Sequence, residues 1–95
     1  MRKLLICIDF DDTYTMDPQS WNLFIDLMES RGHNVICATM RYPHGTEPLD
    51  AIKTIGKKCT IYFTSRKCKK NYLQNLGIFP DVWIDNDPRT ILEDF

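Results

Sequence analysis

Residues 4–13 read Leu4-Leu5-Ile6-Cys7-Ile8-Asp9-Phe10-Asp11-Asp12-Thr13. Five apolar residues give way to three carboxylates within four positions. An unbroken apolar run of this length reads as a strand covered on both faces, since a half-solvated strand would alternate with period two. Charge is costly to desolvate, so acids at the end of such a strand mark either a solvated turn or a site. Aspartate is common in turns, and this stretch alone does not separate the two.

Working outward, the first apolar run (Leu4–Ile8) is followed by three more, Asn34–Ala38, Cys59–Phe63 and Val82–Ile84. Helical spacing lies between them. Trp21, Phe24, Ile25 and Met28 recur at i, i+3, i+4 and i+7, with Leu23 and Leu27 beside them. Asp17-Pro18 suits the start of that helix and Gly32 its end. Leu49, Ile52, Lys53 and Gly56 predict a shorter helix from about Glu47-Pro48. Tyr72, Leu73 and Leu76, stopped by Gly77, predict a third, and Thr90–Asp94 a last turn. Strands that alternate with helices and are apolar on both faces make the fold class α/β, a parallel sheet covered on both sides. At 95 residues the chain is expected to be one domain, 1–95.

In open parallel sheets the ligand sits beyond the carboxyl ends of the strands. Those ends read Asp9-Phe10-Asp11-Asp12-Thr13, Thr39-Met40-Arg41, Thr64-Ser65-Arg66-Lys67 and Asp85-Asn86-Asp87. All four are polar. Acids converging from the first and fourth strands would repel unless they shared a cation, and hard oxygen ligands without histidine favour Mg²⁺, which works alongside substrate phosphate. Thr39 offers a hydroxyl for a phosphate oxygen, and a lysine at the start of the third helix would complete the neutralisation. One carboxylate can act as nucleophile and another, two residues on, as general acid and base.

Asp9-x-Asp11-x-Thr13 after an apolar strand resembles the first motif of the haloacid dehalogenase (HAD) superfamily. Thr39 after Asn34-Val35-Ile36-Cys37-Ala38 resembles the second motif, a lysine within Arg66–Leu73 the third, and Val82-Trp83-Ile84-Asp85-Asn86-Asp87-Pro88 the fourth. The likeness spans nearly the whole chain in the family's motif order. It implies a minimal three-layer Rossmann-like core with strand order 3-2-1-4. It also implies a Mg²⁺-dependent phosphohydrolase acting through an aspartyl-phosphate. Asp9 would be nucleophile and metal ligand, and Asp11 general acid/base with its carbonyl on the metal. Thr13 would brace the loop, Thr39 hold the phosphoryl group, and Asp85 be the second carboxylate ligand. Lys69 is the preferred lysine because it stands four before Leu73 and shares its inward face; Lys67 and Lys70 are the alternatives. Asn86 stands where the family often has a second aspartate, so it brings a carbonyl without charge, and Asp87 could compensate. Arg41 could touch substrate or be a surface arginine.

Neither Tyr14–Gly32 nor Arg41–Lys58 has room for the cap domain common in that family, so an open site is expected. Such a site suits a phosphoprotein or nucleic-acid end, or a small molecule enclosed by a second copy of the chain or by the Arg41–Glu47 loop. The alternative function is a phosphate- or nucleotide-binding module without turnover. Net charge is −1, and yet Ala51–Lys70 holds seven basic residues and no acid, the motive for a nucleic-acid 3′-phosphatase reading. Four cysteines with no C-x-x-C pair argue against zinc and for reduced thiols, hence a cytoplasmic expectation. Five apolar residues after Met1-Arg2-Lys3 are too few for a signal peptide, and no run is long enough to span a membrane. Asp12 reads as a spacer, Trp21 and Trp83 as core or partly buried aromatics and not base-stacking platforms, His33 and His44 as solvent-facing, and Tyr14 as flanking the pocket mouth.

Overall fold

The computed structural model describes residues 2–95. Four strands, β1 (Leu5–Asp9), β2 (Asn34–Thr39), β3 (Thr60–Phe63) and β4 (Val82–Ile84), form one sheet in the order β3-β2-β1-β4. Every pairing is parallel. β1 runs from Leu5↔Asn34 to Asp9↔Ala38 along β2, and Ile6 to Ile8 lie opposite Val82 to Ile84 of β4. The α/β class and the 3-2-1-4 order are therefore those expected. The first two strands extend one residue further than their apolar runs, so Asp9 and Thr39 are the last residues of strands and not the first of loops. A side chain on a strand is aimed by the pleat, which fixes Asp9 more firmly than a loop would.

Helices α1 (Pro18–Ser30), α2 (Leu49–Lys53), α3 (Lys69–Asn75) and α4 (Arg89–Leu92) cover the sheet. α1 starts as its sequence dictates. An Asp17 side-chain oxygen accepts from the Ser20 N–H at 3.2 Å, and Pro18 occupies the first turn. Beyond its end Gly32 takes φ +88°, a left-handed conformation that costs glycine nothing. The strands sort their side chains by parity. Ile6, Ile8, Val35 and Cys37 pack with Phe10, Tyr14, Ile25, Ala51 and Ile55 on one face, whereas Cys7, Ile36 and Ala38 pack with Leu73 on the other. Each fully buried aliphatic side chain stabilises the fold by about 1.5–3 kcal/mol, and this double coverage is what the unbroken apolar runs encode. The four cysteines are free. Among the described residues, no helix is long and apolar enough to cross a membrane.

α2 forms where its spacing predicts, and two other local expectations, for Tyr14 and His33, need correction. α2 turns Ala51 inward, followed by Ile55 in a 3-10 turn (Ile55–Lys57), and leaves Leu49 and Ile52 about half exposed. The helical register is set by what fits under the sheet, and the small Ala51 permits the closer approach. Tyr14 does not flank a pocket mouth. It is buried, stacked on Phe10 with ring centroids 5.8 Å apart, and its hydroxyl donates to Asn22 Oδ1 at 2.8 Å. His33 is half-buried, and its Nδ1 accepts from the Leu4 N–H at 3.0 Å, which ties the start of β2 to the start of β1.

Candidate functional site

The strand order places Asp9 at the carboxyl end of a central strand, flanked by the ends of β2 and β4. Asp12 then adopts φ +60°, a left-handed turn residue that aspartate tolerates better than most, and its N–H donates to Thr15 Oγ1 at 2.9 Å. The turn returns Thr13 beneath Asp9. The Thr13 hydroxyl lies 3.2 Å from Asp9 Oδ2 and accepts from the Asn86 N–H at 3.2 Å, so Thr13 joins the ends of β1 and β4. Asp12 is exposed and holds only this turn.

Lys69, the first residue of α3, is the centre of the arrangement. Its side chain is 2% exposed. Nζ donates to Asp9 Oδ1 and to Asp85 Oδ2, both at 2.7 Å. Asp85 is held further by the Thr90 hydroxyl at 3.0 Å and, on its other oxygen, by the Asp87 N–H at 2.9 Å. Two buried carboxylates thus share one ammonium, and the site retains an uncompensated negative charge. Burial, opposed by Lys69 and reinforced by Asp85, pushes the Asp9 carboxyl up to about 6. Burial works against the Lys69 cation, but Asp9 and then Asp85 carry it above its ordinary value. Lys67 and Lys70 are exposed and form no ion pair among the described residues, so Lys69 is the lysine that the fold turns inward.

A small cleft of about 190 Å³ opens over these groups, lined among others by Asp9, Asp11, Met40, Lys69, Asp85 and Asn86. Thr39 is not on its wall: it is 1% exposed, and its hydroxyl accepts from the Arg41 N–H at 3.4 Å. Asp87 lines the cleft rim but directs its carboxylate to Arg89, at 2.9 and 2.8 Å. Asp11 is half exposed, and both of its oxygens accept from Arg41, at 3.0 and 2.7 Å. Arg41 also donates to Asp50 and to the Glu47 carbonyl, and its guanidinium lies 4.9 Å from the centre of the Phe10 ring. Arg41 is therefore a strut as well as a residue beside the cleft.

Asn86 decides how the site relates to a cation. One terminal atom of its amide stands 2.8 Å from Asp9 Oδ2 and 3.1 Å from the Asp11 carbonyl oxygen. Both neighbours are acceptors. Without a cation that atom must be the amide nitrogen, donating to each. With a cation it is the oxygen. Adjacent oxygens around an octahedral Mg²⁺, bound at about 2.1 Å, stand about 3 Å apart, which is the spacing found. Among the described residues there is no cluster of three or more His, Cys, Asp or Glu able to hold a metal. The hard-oxygen set of Asp9 Oδ2, the Asp11 carbonyl and the Asn86 amide nevertheless fits Mg²⁺, which needs only one or two carboxylates beside waters and phosphate.

Comparison with protein-family models, with curated proteins and with solved structures gave no match. Fold and geometry carry the functional reading alone. Sequence reasoning missed Thr90, whose hydroxyl orients Asp85, and the Arg66–Glu47 pair at 3.1 Å that binds the loop after β2 to the loop after β3. A threonine in a terminal turn carries no local signal. The loop after β3 does betray itself in the structure, where Ser65 and Arg66 take φ +55° and +69°.

Proposed function

We propose that this chain is a Mg²⁺-dependent phosphohydrolase of the HAD type, in which Asp9 is transiently phosphorylated. The observation that carries the reading is Lys69, buried and bridging Asp9 to Asp85 at the carboxyl ends of a parallel sheet. A buried salt bridge contributes little net stability over an apolar replacement. Such groups in a cleft are candidates for chemistry.

Asp9 Oδ2, the Asp11 carbonyl and Asn86 would hold the cation, which supplies charge neutralisation for the bound phosphate. Asp85, whose oxygens are engaged by Lys69, Thr90 and the Asp87 N–H, serves in this reading chiefly as the anchor of Lys69. An Asp9 carboxylate oxygen attacks phosphorus as the ester P–O bond breaks, and the departing oxygen takes a proton from the Asp11 carboxyl. Water then attacks the aspartyl-phosphate, Asp11 accepts its proton, and the cleaved P–O bond returns the Asp9 carboxylate and inorganic phosphate. Asp11 reaches the leaving group only when its pair with Arg41 opens. The Thr39 hydroxyl accepts from the Arg41 N–H and so keeps its own proton for a phosphoryl oxygen, which it meets only once the buried side chain is uncovered.

Incubation with an aryl phosphate and Mg²⁺ is expected to release phosphate. Asp9→Asn is expected to reduce release by at least about 10³-fold while the circular dichroism spectrum is kept. Wild-type inertness toward aryl, alkyl and acyl phosphates would sink the reading. In that event phosphate binding without turnover would support a binding module, the alternative favoured by the full engagement of Asp11 with Arg41. The nucleic-acid reading is left with Lys53, Lys57, Lys67 and Lys70, exposed and without an ion pair among the described residues, because Lys58 and Arg66 are paired with acids and Lys69 is buried.

A further inference from the structure

The two edges of the sheet are finished differently. β4 is three residues long and bounded by Asp81, which pairs with Arg2, and Asp85, which belongs to the site. β3, Thr60-Ile61-Tyr62-Phe63, pairs with β2 alone. Just past its end the Thr64 N–H donates to the Thr39 carbonyl at 2.8 Å. Backbone groups alternate sides along a strand. Thr60, Tyr62 and Thr64 therefore turn their N–H and C=O groups to β2, and those of Ile61 and Phe63 point away from the sheet. Among the described residues no loop backbone group takes them up. Natural edge strands are blunted by charge, proline, a bulge or covering structure. β3 itself carries no charge and no proline, and three of its four residues are apolar or aromatic.

A depression lies on each face beside this edge. One, of about 230 Å³, is lined mainly by Ile52, Cys59, Ile61 and Phe63. The other, of about 470 Å³, has Leu5, Ile36, Tyr62 and Ile78 among its walls. Thr60 belongs to both. A strand laid along β3 sends its side chains alternately to the two faces, and so into one depression and then the other. We propose that the β3 edge is a docking site for an extended segment of another protein, apolar at alternate positions and acidic at both ends, which adds a strand to the sheet. Main-chain hydrogen bonds to Ile61 and Phe63 would hold it, and the depressions would select its side chains. Charge decides the occupant. Ala51–Lys70 holds seven basic residues and no acid. Lys58 and Arg66 are paired and Lys69 is buried in the site, but Lys53, Lys57 and Lys67 are exposed and unpaired among the described residues. Lys57 lies in the 3-10 turn before β3, Lys67 in the loop after it, and Lys53 beside Ile52 of the smaller depression. Acids at both ends of an added strand meet these cations whichever way the strand runs. A second copy of β3 would not. Antiparallel pairing through Ile61 and Phe63 brings Lys57 of one copy toward Lys67 of the other, and like charges across a strand pair are destabilising. The inference holds whether or not Asp9 is phosphorylated.

The test titrates the whole chain with a synthetic peptide of about nine residues, valine and threonine alternating between two pairs of glutamates, and follows backbone amides by NMR. The Ile61 and Phe63 amide resonances are expected to move with a Kd below about 1 mM. Hydrogen exchange at both should slow at least about tenfold at saturation, while Val82 and Ile84 on the opposite edge stay unchanged. The same peptide with lysines in place of its glutamates should bind at least about fivefold more weakly. So should the glutamate peptide to the double variant Lys57→Glu, Lys67→Glu, whose fold is kept because both side chains are exposed. Two consecutive prolines at the peptide centre, which remove the bonding N–H in either register, should abolish binding. An all-glutamate peptide or a single-stranded oligonucleotide that binds as tightly as the probe overturns the inference in favour of a plain polyanion surface. Shifts centred away from β3, or none at about 1 mM peptide, also overturn it. So does dimerisation that protects Ile61 and Phe63 without peptide, which assigns the edge to a second copy.

Discussion

Replacing Lys69 by Met would remove the ammonium that bridges Asp9 and Asp85 while leaving a side chain of similar length and apolar character. In the native structure the side chains of the two acids are 9% and 3% exposed, so water cannot substitute for the lost cation. Breaking a buried ion pair by deleting one partner costs about 3–5 kcal/mol, against a total stability of about 5–15 kcal/mol for a domain. At about 4–8 °C per kcal/mol for a chain of this size, the lower figure alone shifts Tm down by about 12–24 °C. The assay is urea and thermal unfolding of wild type and Lys69→Met, each with EDTA and with excess Mg²⁺. The variant should be the more responsive to Mg²⁺, because the cation relieves the uncompensated charge; saturation at a hundred times Kd returns about 2.7 kcal/mol. Adding Asp85→Asn to Lys69→Met should recover at least about 1 kcal/mol, since one of the two facing charges is gone. A variant within about 1 kcal/mol of wild type in EDTA, or a double variant no more stable than the single, would refute the reasoning.

Two further outcomes follow from the same structure. Asp9 has a folded-state pKa of about 6 against an ordinary 3.8, so the native state holds its proton more tightly than the unfolded chain. Its contribution to stability is fully present below the ordinary value and is lost as pH rises through about 6. Without divalent cation, wild type should therefore lose stability relative to Asp9→Asn between about pH 4 and about pH 6.5 in parallel denaturation series, with no further loss above; a pH-independent difference between the two contradicts the burial argument. In α3, Leu73 is 0% exposed and Leu76 54%. Leu73→Ala should cost about 2–5 kcal/mol by urea unfolding, whereas Leu76→Ala should stay within about 0.5 kcal/mol, and comparable costs would show that α3 is seated differently.

Much of the fold was legible because its signals are local. The apolar runs at Leu4–Ile8 and Asn34–Ala38 are buried on both faces, as their lack of alternation requires. The Asp17 cap and Gly32 stop bound α1 where composition placed them. The inward lysine was legible too, since Lys69 and Leu73 stand one helical turn apart on one face. α2 forms where its spacing predicts, but which of its residues turn inward was not legible, since Ala51 is buried while Leu49 and Ile52 stay about half exposed. The sequence also gave no sign that Arg41 would close on Asp11, thirty positions away, or Arg66 on Glu47.

The sequence by itself determined a parallel α/β sheet and the polar character of its four carboxyl edges, since periodicity, caps and strand-end composition are properties of neighbouring residues. Tertiary structure alone decided how the acids divide their work: Asp85 and Asp9 on Lys69, Asn86 over Asp9 and the Asp11 carbonyl, and Asp11 on Arg41. The physical reason is reach. A hydrogen bond or ion pair depends on ångström-scale placement fixed by strand register and loop turns, and residues such as Asp9 and Lys69, sixty positions apart, acquire that placement only when the sheet closes.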